Sequence, residues 1–398
     1  TGRFEQPALA QLRHTRGVQV PSRILYGGRQ GAPLALIAAT AAVTAMFSST
    51  PFLIEPISEH YGVSEGTAGA ISVVQVGAFA AANFVLPRML RPNGRILRAS
   101  AFALVLFNAL SAVAGVFPVL VFLRLLAGAA AGTMTWLTWS NAMRRKSSMS
   151  SVAATGPVSA LIAAPVMSVV AGWGDEAVFL TLAVVAVPAV VLWAPVAGKK
   201  RSRGVISGSR SNRILLATLF GMTFFGSALF INQSIIAQDS HDISSFATSI
   251  GFSLNAAGGL LGARLSRFHK HPGWFMASIG PAALLSVIGP LPLFYIGMAW
   301  WGFGFWMSVP GVLQMLVDRS LEPAERAGDG QGMLALGRAG GPVLGGGFVD
   351  AGAYTGLAVT AAVGVSLSGL TVVSVKQGRD MLPPTDPRTI DQADLPDV

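Results

Sequence analysis

Apolar runs of roughly the 20 residues that a helix needs to cross a bilayer recur along the chain, each closed by a short polar or Pro/Gly break. In the first half they cover Pro33–Ile57, Gly66–Leu86, Ala99–Val116, Val119–Ala142, Val152–Gly172 and Val178–Ala197. In the second half they cover Ile214–Ile236, Phe246–Leu265, Trp274–Gly289, Pro292–Val317, Gly330–Val349 and Thr355–Val375. The polar segment GKKRSRGVISGSRSNR separates the two sets. This pattern predicts an all-α integral membrane protein with about 12 transmembrane helices in two pseudo-symmetric six-helix bundles. The expected bundles are residues 31–197 and 214–376, joined by a basic linker over 198–213 and flanked by tails over 1–30 and 377–398.

Lys and Arg occupy alternate breaks. Arg88, Arg91, Arg95 and Arg98 follow the second run, Arg144, Arg145 and Lys146 the fourth, and the linker the sixth. Arg264, Arg267 and Lys270 follow the eighth, and Arg319 and Arg326 the tenth. The other breaks carry acids instead: Glu55, Glu59, Glu65, Asp175, Glu176, Asp239 and Asp242. Positively charged loops are retained in the cytoplasm, so both tails and the linker are expected there, in a multi-pass protein of the cell (inner) membrane. The N-terminal tail has no apolar stretch and is expected to be a cytosolic arm rather than a cleaved leader.

Composition narrows the chemistry. The chain is 52% hydrophobic and 12% charged, with a mean hydropathy of +0.58, far from an ordinary soluble domain. The net charge of +10 follows from the basic loops and is not read as nucleic-acid binding. Absence of cysteine excludes disulfides and thiolate chemistry, and His14, His60, His241, His269 and His271 all fall in tails or breaks. With no nucleophile–base pair, metal-ligand cluster or phosphate loop, no enzyme activity, catalytic residue, cofactor or metal is expected.

The repeat shows most clearly in GDGQGMLALGRAGGPVLGGGF, where Gly328, Gly337, Gly341, Pro342, Gly345 and Gly346 mark a pattern of small residues around a proline. Moved back so that Gly328 falls on Ser151, the pattern meets Ala160, Ala164, Pro165, Ser168 and Val169. Two further stretches stand out, STPFLIEPISEHYGVSEGTAG (Ser49–Gly69) and RLLAGAAAG (Arg124–Gly132). Together they resemble the major facilitator superfamily of secondary transporters over essentially the whole chain, and within it the drug:proton antiporter branch. The sequence departs from the family pattern twice. The Gly/Pro motif has its full form on the eleventh run rather than the fifth, and PRMLRPNGRI (Pro87–Ile96) has Pro87 and Arg91 where the family has a glycine and an aspartate. The resemblance implies alternating access between two bundles, a small-molecule substrate, and protons or a counter-substrate as coupling partner.

Two arginines lie inside apolar runs, Arg338 near mid-span and Arg124 nearer one end. A charge at such depth faces a cavity or a partner, so each is a candidate for binding an anionic substrate group or for satisfying neighbouring carbonyls and amides. Gln75, Asn83, Asn232 and Gln233 are further pathway candidates, with helix–helix hydrogen bonding as the alternative. Trp301 and Trp306 are candidates for stacking against an organic substrate, with core packing as the alternative. Small residues four apart permit close backbone approach. Gly328, Gly337, Gly341, Gly345 and Gly346 are therefore expected to form a seam, and Pro342 and Pro165 to bend their helices. No acid occupies mid-span, which disfavours a cationic substrate. The expected function is carriage of a small organic solute, anionic or neutral and amphipathic, with export preferred on the resemblance. The alternatives are uptake or exchange of an organic anion, or a transporter-like scaffold, receptor or assembly factor. The partners expected are substrate and bilayer, with the chain a monomer.

Overall fold

The computed structural model describes residues 32–143, 146–193, 196, 210–265, 271–320 and 323–375, and every element among them is a helix. Both tails, Arg144 and Arg145, linker residues 198–209 and loop residues 266–270 lie outside the described residues. The first half comprises α1 (Leu34–Ser49), α2 (Ile54–Tyr61), α3 (Glu65–Met89), α4 (Gly94–Ser111), α5 (Phe117–Ala142), α6 (Lys146–Ala171) and α7 (Asp175–Val191). The second comprises α8 (Arg210–Phe230), α9 (Gln233–His241), α10 (Ser245–Leu265), α11 (Pro272–Ile288), α12 (Leu291–Asp318), α13 (Pro323–Asp350) and α14 (Tyr354–Ser374).

The first apolar run of each half proves to be two helices. Pro51 lies in a 3-10 turn over Thr50–Phe52 and supplies no amide to continue α1; α2 begins at Ile54. In the second half the break falls at Ile231 and Asn232, before α9. Both short helices end on a left-handed residue, Gly62 at φ 61° and Asp242 at φ 51°. A left-handed residue at this position turns its amide back onto a carbonyl of the last turn, as Gly62 N donates to the Ser58 carbonyl. The eleventh run is the other departure, because α13 begins at Pro323 rather than near Gly330 and has 28 residues.

Six helices, α3, α4, α5, α6, α8 and α14, are each long and apolar enough to cross a bilayer alone. The rest are short, as α1 with 16 residues and α7 and α11 with 17 each, or carry many Gly, Ser and Trp positions. These rely on neighbours to place them.

The two halves pack alike. Contacts α1·α6, α1·α7, α3·α5, α4·α5 and α4·α7 recur as α8·α13, α8·α14, α10·α12, α11·α12 and α11·α14. The pairings between halves, α3·α13 and α6·α10, exchange under the same correspondence, as a two-fold axis between two six-helix bundles requires. Small residues make the tightest of these contacts. A Cβ on Gly337 would stand 2.6 Å from the Phe220 carbonyl oxygen, and one on Gly341 would stand 2.8 Å from the Ala228 amide nitrogen and collide with Ser227 and Phe224. Gly345 presses on Ala228 and Asn232, so α13 lies backbone to backbone on α8 over two turns. Gly346 has nothing within 4 Å of such a Cβ and takes no part. Neither Pro342 nor Pro165 interrupts its helix.

Candidate functional site

Among the described residues the closest contacts between the halves lie toward the end of the long helices from which the arginine-bearing loops emerge. On one flank Gly328 of α13 abuts the Asn83 carbonyl, Pro87 and Trp136, and Gly332 abuts the Phe84 ring. Below them Arg88 Nη2 lies 2.8 Å from Asp329 Oδ1 and Arg88 Nε lies 3.4 Å from Glu325 Oε1. Arg326 Nη1 donates to Asp329 Oδ2 at 2.6 Å. Asp329 is only 2% exposed. A buried carboxylate needs such partners, since an unpaired one would leave its charge uncompensated. Its Oδ1 sits within ion-pair range of Arg88 without hydrogen-bond alignment.

On the opposite flank the Trp306 indole of α12 crosses between bundles. It fills the space beside Gly156 of α6 and Gly259 of α10, where added Cβ atoms would each come within 2.6 Å of the ring. Pro157 packs beside Gly259, and Ser150 Oγ donates to the Ala263 carbonyl at 3.4 Å. The arginine-loop end is thus shut by an ion cluster on one flank and an aromatic wedge on the other.

Arg338 stands above this floor. It is 15 residues from Pro323 and 12 from Asp350, about 22 Å and 18 Å from the two ends of α13. Leu336 and Val343, 40% and 79% exposed, continue the face of α13 that carries Gly328, Gly332 and Asp329. At about 100° per residue Arg338 points roughly 140–200° away from them, yet its side chain is also exposed. Its side chain thus leaves the side of α13 opposite the α3 contact and reaches toward α12. Its described partner is the Phe305 ring, 5.8 Å from Cζ, and Phe305 in turn packs edge-on to Trp306 at 5.6 Å. Among the described residues no carboxylate lies within ion-pair distance of Arg338. The arrangement offers one unpaired fork of donors beside aromatic faces, suited to a carboxylate, sulfonate or phosphate on an organic body.

The other candidates fall elsewhere. Arg124 is 1% exposed within the first bundle, donating from Nη2 to Asn108 Oδ1 at 2.7 Å with its guanidinium 4.9 Å from the Phe179 ring. Gln75 is buried with its carbonyl against Gly128. Asn83 is buried beside the ion cluster and donates to the Phe79 carbonyl at 2.8 Å. Gln233 is buried and donates to Ser286 O and Oγ at 3.2 and 3.1 Å. Asn232 donates back to the Ala228 carbonyl at 2.8 Å, at the break after α8. Trp301 is 5% exposed and meets Phe230 edge-on at 5.3 Å. Of the substrate candidates named from sequence, the structure brings together Arg338 and Trp306 alone, and adds Phe305. It also adds the cluster of Arg88, Glu325 and Asp329, whose sequence signal is an acid pair spaced i, i+4 at the start of α13, opposite a loop that lacks the family's aspartate.

At the other end of the molecule each short helix is tied to the last helix of its own half. His60 Nδ1 lies 2.7 Å from Asp175 Oδ1 and 3.6 Å from Glu176 Oε1, while Tyr354 Oη donates to Asp239 Oδ2 at 2.5 Å. The hydrogen bond to Asp175 raises the His60 pKa; burial opposes it, and the charges of Asp175 and Glu176 add to the rise. Tyr61, stacked on His60 at 4.3 Å, is pushed up to about 12 by burial and then by the same two acids. His60, Asp175 and Glu176 are close enough to share a cation, but the His60–Asp175 contact is already a short ion pair.

Comparison with known proteins agrees with this architecture. No curated protein matches the sequence. Among solved structures, the human organic anion transporter MFSD10 (TETRAN) is similar at a TM-score of 0.67 and 15% identity, over 89% of this chain and 100% of that one. A single-residue variant of the E. coli fucose:proton symporter FucP gives 0.68 at 10% identity, over 87% and 98%. FucP in the outward conformation gives 0.64 at 11%, over 87% and 98%. At these identities the likeness concerns the fold. The family description "Major Facilitator Superfamily" matches residues 35–346, most of the chain, and the protein is therefore a membrane transporter of the major facilitator superfamily.

Proposed function

We propose that this transporter carries a small organic anion with an aromatic or otherwise apolar body, binding it between the bundles at Arg338, Phe305 and Trp306. The carrying observation is the exposed guanidinium at mid-span, beside the Phe305 ring and without a carboxylate in ion-pair distance among the described residues. A charge there without a counter-charge is costly and is stabilised by a ligand that brings one. That a solved neighbour is titled an organic anion transporter is consistent with this reading.

The basic loops set the orientation under the positive-inside rule: the shut end faces the cytoplasm, the termini lie on that side, and the cleft opens outward. Alternating access then requires Trp306 to leave its slot and the Arg88–Asp329 cluster to part. Export as an antiporter is the direction we adopt, from the resemblance of the Ser49–Gly69 stretch to the drug-antiporter branch.

The test is binding and proteoliposome flux across a panel of organic anions, cations and neutral compounds, with wild type, Arg338→Gln and Arg338→Lys. An anion should bind, Arg338→Gln should weaken it at least about tenfold, or 1.4 kcal/mol, and Arg338→Lys should fall between. Preference for cations, or an Arg338→Gln protein of normal fold with unchanged anion affinity, overturns the proposal.

A further inference from the structure

Two arginines of α4 likewise have no carboxylate within ion-pair distance among the described residues. Arg95 and Arg98 lie in the first two turns of α4, and Ala99 and Phe102 continue their face at i+4 and i+7 from Arg95. Across from them run Val190, near the end of α7, and Trp193, just beyond it. These six residues enclose an open groove of about 410 Å³, within the range of small-molecule sites. Arg98 Cζ lies 5.0 Å over the Trp193 ring, which holds the guanidinium at the groove wall.

Three features indicate what fills it. First, below the arginines the surface is lipid-facing: Phe102 is 57% exposed, Leu106 and Leu110 follow it on α4, and Val191 and Val187 flank the α7 side. Arg95 sits one residue into α4, and Arg98 about 5 Å deeper. The groove thus descends from the water interface into the acyl region, with the Trp at the level where aromatic belts sit. Second, neither arginine has a carboxylate within ion-pair distance among the described residues, and none lines the groove to receive an ammonium. Third, the start of α4 is already satisfied by other groups. Gly94 N donates to the Val196 carbonyl at 3.2 Å, Arg95 N to Asn93 Oδ1 at 2.9 Å, and Ile96 and Leu97 to the Asn93 carbonyl. An anion here is therefore held by the two guanidinium forks and not by helix amides.

We infer that the α4–α7 groove is a binding site for one anionic glycerophospholipid of the leaflet at the arginine-loop face. Its phosphate lies between Arg95 and Arg98, and an acyl chain lies along Phe102 and Val190. Two cations with no acid discriminate against zwitterionic headgroups, whose ammonium finds no partner. The apolar lower wall discriminates against a free phosphate.

The experiment uses the full chain purified in detergent. It is titrated with phosphatidylglycerol, phosphatidylcholine or glycerol 3-phosphate and read by native mass spectrometry and by melting temperature. Phosphatidylglycerol adducts should exceed phosphatidylcholine adducts at least tenfold and raise the melting temperature. R95Q/R98Q should lower them to the phosphatidylcholine level, and R95K/R98K should retain most of them. F102Q, which leaves both charges, should weaken the lipid adduct without creating affinity for glycerol 3-phosphate. Undiminished phosphatidylglycerol binding in R95Q/R98Q overturns the assignment. So does full displacement of the lipid by equimolar glycerol 3-phosphate, which would make the groove a phosphate site. Should R95Q/R98Q not fold, F102Q decides: unchanged lipid binding there also overturns it.

Discussion

Replacing Asp329 with Asn should unlatch the two bundles at their closed end. The carboxylate is 2% exposed and holds Arg88 at 2.8 Å and Arg326 at 2.6 Å. Removing one partner of a wholly buried ion pair costs about 3–5 kcal/mol. Arg88, however, is 40% exposed and Arg326 15%, and water recovers part of that cost, leaving about 1.5–3 kcal/mol. The Arg88 share falls on the closed state alone, because α3 and α13 must separate when this end opens. Taking that share as about half, roughly 0.75–1.5 kcal/mol, a 99:1 preference for closure would drop by about 3.5- to 13-fold, to between roughly 28:1 and 8:1. The chain has no cysteine, so spin labels can be placed cleanly. Labels at Ser64 and Ser240 report the acidic rim, and labels at Arg91 and Arg264 the basic rim. In Asp329→Asn the acidic-rim distances should gain a shorter population and the basic-rim distances a longer one. Distributions identical to wild type at both rims would refute a latch role for Asp329.

Gly341→Leu should melt well below wild type in label-free thermal unfolding, since overpacking costs about 1–3 kcal/mol or more against a backbone that cannot yield; Gly346→Leu, with open space around it, should melt near wild type. His60→Gln should lower the melting temperature most in acid. The His60 pKa is raised in the folded protein, so the stability that its pairing with Asp175 and Glu176 contributes is fully present below the unfolded value, about 6.5, and is lost as pH rises through the folded value; a difference between variant and wild type that grows with pH would contradict the pairing. Trp306→Ala should empty the wedge between Gly156 and Gly259 and shift the Arg91–Arg264 distances outward, and unchanged distances would show that the wedge does not hold the end shut.

The fold was legible because bilayer thickness calls for apolar runs of similar length and basic residues mark every second break between them. Those two constraints needed no tertiary knowledge. They failed where a local event overrode the average. Pro51 ended α1 inside an apolar run, and Ile231–Asn232 did the same after α8, so each first span was read through its own break. The start of α13 was missed because Glu325, Arg326 and Asp329 read as loop charges, although they pair with one another and with Arg88 on α3. The small-residue seam was legible from spacing, yet spacing alone did not separate Gly345, pressed on Ala228, from Gly346, which faces open space. Gln75, Asn83 and Gln233 were indistinguishable from pathway residues by type. Only their burial and backbone partners separate them from Arg338.

Arg124 and Arg338 are the same residue type inside similar apolar runs, and what separates them is packing of the helix that carries each. Arg124 lies between α4 and α7, where the Asn108 amide oxygen and the Phe179 ring stabilise it within one bundle. Arg338 follows directly after Gly337 and precedes Gly341, the two positions that bring α13 onto the backbone of α8. Such contact fixes the rotation of α13 about its own axis, because turning the helix would drive a side chain into Phe220 or Phe224. With that rotation fixed, the position next to Gly337 is directed toward α12, where Phe305 stands. The seam therefore sets where Arg338 points, and a bulky residue at Gly337 or Gly341 should redirect it even in a protein that still folds.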